Sequence, residues 1–188
     1  VAPQGQGWAL QAQLHNAAPG PWDCQRLPLD SLQAQAQYDG EVWTVDDARL
    51  QRGQGNARLQ GSYRPATQLL QGRAELRAIN PAELHSQLDA APLGGLISAD
   101  GGSDGAVRFA IDLRAAAAPH TRIGTKAKGG AALRLDQLSA QGRWHDGQLT
   151  IAHLQLNALQ AQLQGQDLHI TTAAPALQGR LQARLPGT

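Results

Sequence analysis

Leu32-Gln-Ala-Gln-Ala-Gln-Tyr38 alternates apolar and polar residues without a break, and the reading of this stretch decides the fold. Successive side chains of a β-strand point to opposite faces. As a strand, the stretch puts Leu32, Ala34, Ala36 and Tyr38 on one face and three glutamines on the other. Read at 3.6 residues per turn, it gives no continuous apolar stripe. Leu and Ala are not strong strand formers, so the period overrides propensity.

Working outward, the same alternation returns in Leu10-Gln-Ala-Gln-Leu14, Val107-Arg-Phe-Ala-Ile-Asp-Leu113 and Leu133-Arg-Leu135. It continues through Leu149-Thr-Ile151, Leu154-Gln-Leu156, Leu159-Gln-Ala-Gln-Leu163, Leu168-His-Ile170 and Leu177-Gln-Gly-Arg-Leu181. Asp39-Gly40 and Asp146-Gly147 each fall between two such runs, which is a strong hairpin signal. Gly53-Gln-Gly55, residues 16–21 and Gly101-Gly-Ser-Asp-Gly105 read as further turns or loops. The expected fold is all-β, a meander of short antiparallel strands. One helix is expected near 81–89, with Asn80 as N-cap, Pro81 at the first helical position and Leu84 and Leu88 on one face.

An internal repeat organises the chain. Leu27-Pro-Leu-Asp-Ser-Leu-Gln-Ala-Gln35 returns as Leu133-Arg-Leu-Asp-Gln-Leu-Ser-Ala-Gln141, 106 residues on. Tyr38-Asp-Gly40 returns as His145-Asp-Gly147, and Leu70-Gln-Gly-Arg73 as Leu177-Gln-Gly-Arg180, both 107 residues on. Leu59-Gln-Gly61 returns as Leu163-Gln-Gly165 after 104. The reading is a single segment, 1–188, with copies at about 27–79 and 133–185 and an interrupting segment at 80–132. The strand glycines of Leu-Gln-Gly are expected to permit a bulge or bend that curves the sheet.

Composition narrows the function. A formal net charge of +1 gives no electrostatic reason to expect nucleic acid or an anionic membrane surface. The lone Cys24 has no internal disulfide partner, and no Cys cluster suggests zinc. No apolar run reaches the length of a bilayer span. The Val1-Ala2-Pro3 start shows no signal peptide and suggests a piece cut from a longer parent, so any export signal or anchor is expected outside it.

The candidates for chemistry are few. Gly101-Gly-Ser-Asp-Gly105 matches the Gly-x-Ser-x-Gly pattern, but that pattern needs a helix after it, and Val107–Leu113 reads as a strand. Gly124-Thr-Lys-Ala-Lys-Gly129 has Gly130-Ala131 where a phosphate loop requires Lys and Ser or Thr. The six histidines, at 15, 85, 120, 145, 153 and 169, include no metal-binding pair, and His153 and His169 are expected on the polar face. Asp46 and Asp47 are adjacent where a strand turns over, so they are expected on opposite faces and do not form an acid–base pair. Trp8, Trp43 and Trp144 either fill a core at specific points or line or gate an apolar channel.

The stretch from Leu14 to Leu29, Leu-His-Asn-Ala-Ala-Pro-Gly-Pro-Trp-Asp-Cys-Gln-Arg-Leu-Pro-Leu, resembles the N-x-x-P-G-P-x-D…R-L-P-L region of the TamB family. These are inner-membrane-anchored subunits of the translocation and assembly module of Gram-negative bacteria. Ala82-Glu-Leu-His-Ser-Gln-Leu88, Leu93-Gly-Gly-Leu96 and the Leu/Gly spacing of 133–185 are similar to later parts of the same family. The likeness covers nearly the whole chain, and Asn16–Leu29 is its most specific stretch. It places the chain in the interior of the long periplasmic region, within the AsmA-like, repeating-β-groove class of bridge-like lipid transfer proteins.

The resemblance implies a curved antiparallel sheet folded into a U-shaped groove, or β-taco, with an apolar concave face. It implies phospholipid movement between the inner and outer membranes and a role in outer-membrane biogenesis and protein assembly. The implied partners are phospholipid acyl chains, adjoining groove segments of the same chain and, through a part of the parent not present here, the outer-membrane protein TamA. The family offers no catalytic residue, cofactor or metal site to carry over, so an enzyme is not expected. The residues expected to line the groove are Leu133, Leu135, Leu149, Ile151, Leu154, Leu156, Leu159, Leu163 and Leu181. The rival expectation is a closed β-sandwich or β-solenoid of a secreted scaffold or adhesin, whose apolar faces pack on each other.

Overall fold

The computed structural model describes residues 2–4, 7–115, 134–158, 161–171 and 176–185. They form twelve strands: β1 Ala2–Gln4, β2 Gly7–His15, β3 Ser31–Tyr38, β4 Trp43–Arg52, β5 Gly55–Arg64, β6 Leu69–Ile79, β7 Leu93–Gly101, β8 Val107–Ala115, β9 Leu135–His145, β10 Gln148–Ala158, β11 Ala161–Thr171 and β12 Ala176–Arg184. All twelve belong to one sheet in chain order, each antiparallel to the next. The sheet is curved and does not close on itself. The expected meander is therefore the fold, and β7 and β8 carry the sheet across the segment between the repeat copies.

The helix is shorter than its pattern suggests. Asn80 caps it as expected, its side-chain oxygen accepting the Ala82 N–H at 3.1 Å, but α1 spans only Pro81–Leu84. His85 leaves the helix in an extended conformation. The next residue is held elsewhere: Asp23 accepts from both the backbone N–H and the hydroxyl of Ser86. That tie draws the chain out of the helix before Leu88 joins the face of Leu84.

The Asp-Gly turns join β3 to β4 and β9 to β10. At Asp146-Gly147 the loop is two residues, both with positive φ (47° and 73°), as a type I′ turn requires. At Asp39-Gly40 the loop is four residues, closed by the Asp39 carboxylate, which accepts the N–H groups of Glu41 and Val42 at 2.8 and 2.7 Å. The other anchors of the two sequence copies lie on β5 and β11 and on β6 and β12. Gly61 stands opposite Val45 and Gly72, whereas Gly165 stands opposite Leu154 and Leu181. The 104-residue offset is thus a shift of one rung along the strand.

Strict alternation breaks at five places where apolar residues stand three apart: Val45/Ala48, Leu76/Ile79, Leu135/Leu138, Ile151/Leu154 and Gly165/Leu168. Three residues would throw the second onto the wrong face. At each place the ladder carries an irregularity that absorbs the extra residue. The break in β10 lies 106 residues after that in β4, the offset of the first repeat anchor. Asp46 and Asp47 are consequently not on opposite faces. Asp46 accepts from Gln37 at 3.0 Å and Asp47 from Arg58 at 2.7 Å, both partners standing on the polar face. The glycines of Leu-Gln-Gly are not themselves the inserted residues at most of these bulges: Gly61 stands opposite the one after Val45, Gly165 and Gly179 border the one at Asp167, and Gly72 pairs with Gly61 in an unbroken ladder.

Long loops gather at one end of the strands. Between β2 and β3, Asn16 donates to the carbonyls of Leu27 and Leu29. Asp30 then accepts the Arg52 guanidinium at 2.7 Å and the Gly53 N–H at 2.6 Å, while Arg52 Nε lies 3.5 Å from Glu83 of α1. The Gly53 N–H, followed by Arg52, holds the Asp30 carboxyl below its ordinary value of 3.8. A depressed carboxylate contributes stability above the unfolded value and loses it as pH falls through the folded one. Asp30→Asn is expected to cost about 1 kcal/mol at neutral pH. It should also flatten the fall in thermal midpoint as pH is lowered past 3.8; an unchanged acid profile would show that the clasp contributes nothing.

Candidate functional site

Directly paired residues in an antiparallel ladder share a face, so the register draws the apolar face row by row. Four rows run across the strands. The first reads Trp8, Tyr38, Trp43, Tyr63 and Leu70 on β2–β6, then Val107, Trp144, Leu149 and Ile170 on β8–β11. The second reads Leu10, Ala36, Val45, Gly61, Gly72, Ala99, Phe109, Gly142, Ile151 and Leu168. In the third stand Ala12, Ala34, Ala48, Leu59, Ala74, Ile97, Ile111, Ala140, Leu154, Gly165 and Leu181. The fourth holds Leu14, Leu32, Leu50, Ala57, Leu76, Gly95, Leu113, Leu138, Leu156, Leu163 and Ala183. No charged, amide or aliphatic hydroxyl side chain stands in any of the four.

This face has no second layer over it among the described residues. None of their large side chains is fully buried, and Trp8, Leu14, Tyr63 and Trp144 remain 41–51% exposed. Contiguous apolar surface of this extent marks a binding surface or an association site. The middle rows are rich in Gly and Ala, and over β4–β7 they form a recess of about 300 Å³. It is lined by Trp43, Val45, Leu59, Gly61, Tyr63, Leu70, Gly72, Ala74, Ile97 and Ala99, with the intervening Gln60, Ser62, Gln71, Arg73 and Ser98. Two broader hollows, of about 470 and 610 Å³, are lined by Arg, Asp, Gln, Ser and Thr residues of the other parity together with second-row residues such as Phe109, Val45 and Ala99. A twisted, coiled sheet is saddle-shaped and so has hollows on both faces; their linings distinguish them.

Seven of the nine expected lining residues share the apolar face. Leu149 is in the first row, Ile151 in the second, Leu154 and Leu181 in the third, Leu156 and Leu163 in the fourth. Leu135 lies one rung beyond the fourth row, opposite Ala158. Leu133 and Leu159 lie outside the described residues. Sequence reasoning selected lining residues only from β9–β12 and missed the equivalent ones on β2–β8, although the same alternation marks them. The aromatic row was not visible, because it needs register. Trp8, Trp43 and Trp144 fill no core; they stand on the open face, with Trp43 stacked on Tyr38 at 4.8 Å.

The remaining candidates give no chemistry. Residues Gly102–Ala106 form a turn closed by the Gly102 N–H to Ala106 carbonyl bond at 2.8 Å, and strand β8 follows it. His153 and His169 are exposed on the polar face, where His169 meets the Thr150 hydroxyl at 3.2 Å. Residues 124–129 lie outside the described residues. Among the described residues no three His, Cys, Asp or Glu side chains are grouped to hold a metal, and no helix is long and apolar enough to cross a membrane. Compared with family models, curated proteins and solved structures, the chain gives no match.

The two facing glycines of the recess separate packing from occupancy. A Cβ on Gly72 would meet only the Gln60 carbonyl, at 3.9 Å, whereas one on Gly61 would lie 2.5 Å from the Gln71 carbonyl. Gly72→Leu should therefore keep the fold and fill the recess, lowering the binding of an environment-sensitive hydrophobic dye. Gly61→Leu should destabilise by about 1–3 kcal/mol through backbone displacement. Thermal unfolding with dye titration checks both; unchanged dye binding in a folded Gly72→Leu variant would exclude the recess as a binding site.

Proposed function

We propose that this chain is a segment of a lipid-conducting groove that moves phospholipid between the inner and outer membranes of a Gram-negative cell, in the manner of the TamB and AsmA-like proteins it resembles. The single observation that carries the reading is the apolar face: four rows, nine to eleven strands wide, with no charged, amide or aliphatic hydroxyl side chain to stop an acyl chain and no covering layer among the described residues. The Asn16–Leu29 stretch adds the resemblance. On this reading the chain works in the periplasm, joined to adjoining groove segments of a parent anchored in the inner membrane. That parent reaches TamA through another part and serves outer-membrane biogenesis and protein assembly.

The physics of such a groove is simple. Burial stabilises each acyl methylene by about 0.8 kcal/mol, so an amphiphile that lays its chains on the rows recovers much of what it loses on leaving a bilayer. With Leu, Ala and Gly repeated across the sheet, neighbouring positions are nearly equal in energy, and lipid slides from one to the next. Discrimination is by chain volume, set by the depth of the Gly and Ala rows. A closed sandwich would put a second layer where the described residues leave the face bare.

The test is a charge on the path. Leu156 lies between Leu138 and Leu163 on the apolar face, and Gln155 lies between Ser139 and Gln164 on the other. Leu156→Asp or Ile151→Asp in the full-length parent should abolish transport, because a passing chain must desolvate a carboxylate at a cost of several kcal/mol. Gln155→Asp should be tolerated. Outer-membrane integrity and lipid transfer are measured at matched protein abundance in cells lacking redundant transporters. Full activity from a folded, stably expressed Leu156→Asp protein would rule out a lipid path through this segment.

A further inference from the structure

The rows that bound the apolar face are chemically unlike. Five of the chain's seven aromatic residues, Trp8, Tyr38, Trp43, Tyr63 and Trp144, stand in the first row. Four of them occupy adjacent rungs on β2–β5, each directly opposite the next. The fourth row, at the other end of the same strands, has no aromatic residue and is mostly leucine. Between the two lie the small side chains that floor the recess.

The aromatic row also carries polar handles, most of which the protein does not use. Tyr38 donates its hydroxyl to the Gly40 carbonyl at 2.7 Å. Trp8, Trp43, Tyr63 and Trp144 have no side-chain acceptor among the described residues, and Trp8, Tyr63 and Trp144 are 41–51% exposed. Their N–H and O–H groups therefore stand as donors where apolar surface meets water, the position Trp and Tyr favour at a boundary between oil and polar groups. The strand ends differ in the same sense. The described connections at the aromatic end are short (39–42, 65–68, 102–106 and 146–147), whereas the fourth-row end carries the longer loops knitted by Asp30, Arg52, Glu83, Asp23 and Ser86.

We infer that the groove holds its lipid in one orientation across its width, with the phosphodiester head group at the aromatic row and the chain ends toward the leucine row. This rests on the lipid-groove reading and deepens it. Across the face, donors, then small apolar side chains, then leucine match the order of groups in a glycerophospholipid: phosphate oxygens that accept, followed by methylenes, followed by terminal methyls. Reversed, the lipid would leave those donors over hydrocarbon and bring its phosphate against leucine beneath the loop cluster.

Two photoreactive phosphatidylethanolamines test this, one with a diazirine on the head group and one with it at the end of an acyl chain. The purified chain is loaded from phosphatidylethanolamine vesicles carrying a trace of either probe, irradiated, and mapped by peptide mass spectrometry. The head-group probe should mark peptides around Trp43, Tyr63 and Trp144, and the chain-end probe those around Leu50, Leu113 and Leu138. The expected enrichment is about tenfold, corresponding to a preference of about 1.4 kcal/mol. Trp43→Leu combined with Tyr63→Leu should erase that head-group enrichment on β4 and β5. Equal marking of both rows by both probes, or the reverse pattern, would overturn the orientation and leave the groove standing. Absence of capture by either probe in a folded sample incubated with the vesicles would instead overturn the lipid reading itself.

Discussion

Everything in this fold depends on parity. In an antiparallel ladder the face of each side chain is fixed by counting, and one extra residue exchanges the faces for the rest of a strand. The chain has five places where the count is off by one, and at each the ladder bulges. Between Val45 and Ala48 the two intervening positions are aspartates, which the irregularity turns toward Gln37 and Arg58. Without it, Ala48 and Leu50 would join the polar face, and Arg49 would stand among Ala34 and Leu59. The four apolar rows are continuous only because these corrections are made locally, strand by strand.

Such a sheet has little of what stabilises a two-layer domain. Its stability comes from the backbone ladder and from cross-strand side-chain pairs, worth roughly 0.2–1 kcal/mol each. Loop clasps such as Asp30 with Arg52 and Gly53 add to this at one end of the strands. Buried residues in the sheet are few: the small Ala48, Ala140 and Ala158, and the leucines Leu93, Leu113 and Leu168. The cost is an apolar face left to water. A ligand that covers it stabilises the fold by mass action, so occupancy and stability are coupled.

The sequence made the strands, their faces and the two Asp-Gly hairpins legible, because Leu32–Tyr38 and its relatives obey a period that only a strand satisfies. Other features needed contacts. The helix after Pro81 stops early because Asp23, far away in sequence, takes Ser86. The paired positions of Asp46 and Asp47 depend on a bulge whose only sequence mark is the three-residue spacing of Val45 and Ala48. That mark recurs at Ile151 and Leu154 and is readable once its meaning is known. The lining residues of β10 and β11 followed directly from alternation, yet the aromatic row did not. Trp8, Tyr38, Trp43 and Tyr63 lie 30, 5 and 20 residues apart in turn, and only the register brings them side by side.

A face defined by parity constrains a chain in an unusual way. Any apolar residue of suitable size serves at a row position: Leu59 on β5 and Ala74 on β6 are direct partners in one row, and Ile97 and Ile111 continue it. On the other face Gln, Arg, Ser and Asp interchange as freely. What must persist is the pattern, together with a few positions of fixed geometry such as the Gly61 approach to the Gln71 carbonyl and the positive φ of Gly147. Identity between two such chains can therefore fall very low while the groove survives. The same tolerance would suit the proposed lipid path, since a run of interchangeable apolar positions has no deep trap along it. Where the tolerance ends, as in the row of aromatic residues at one rim, a more specific demand than burial has been placed on the residue.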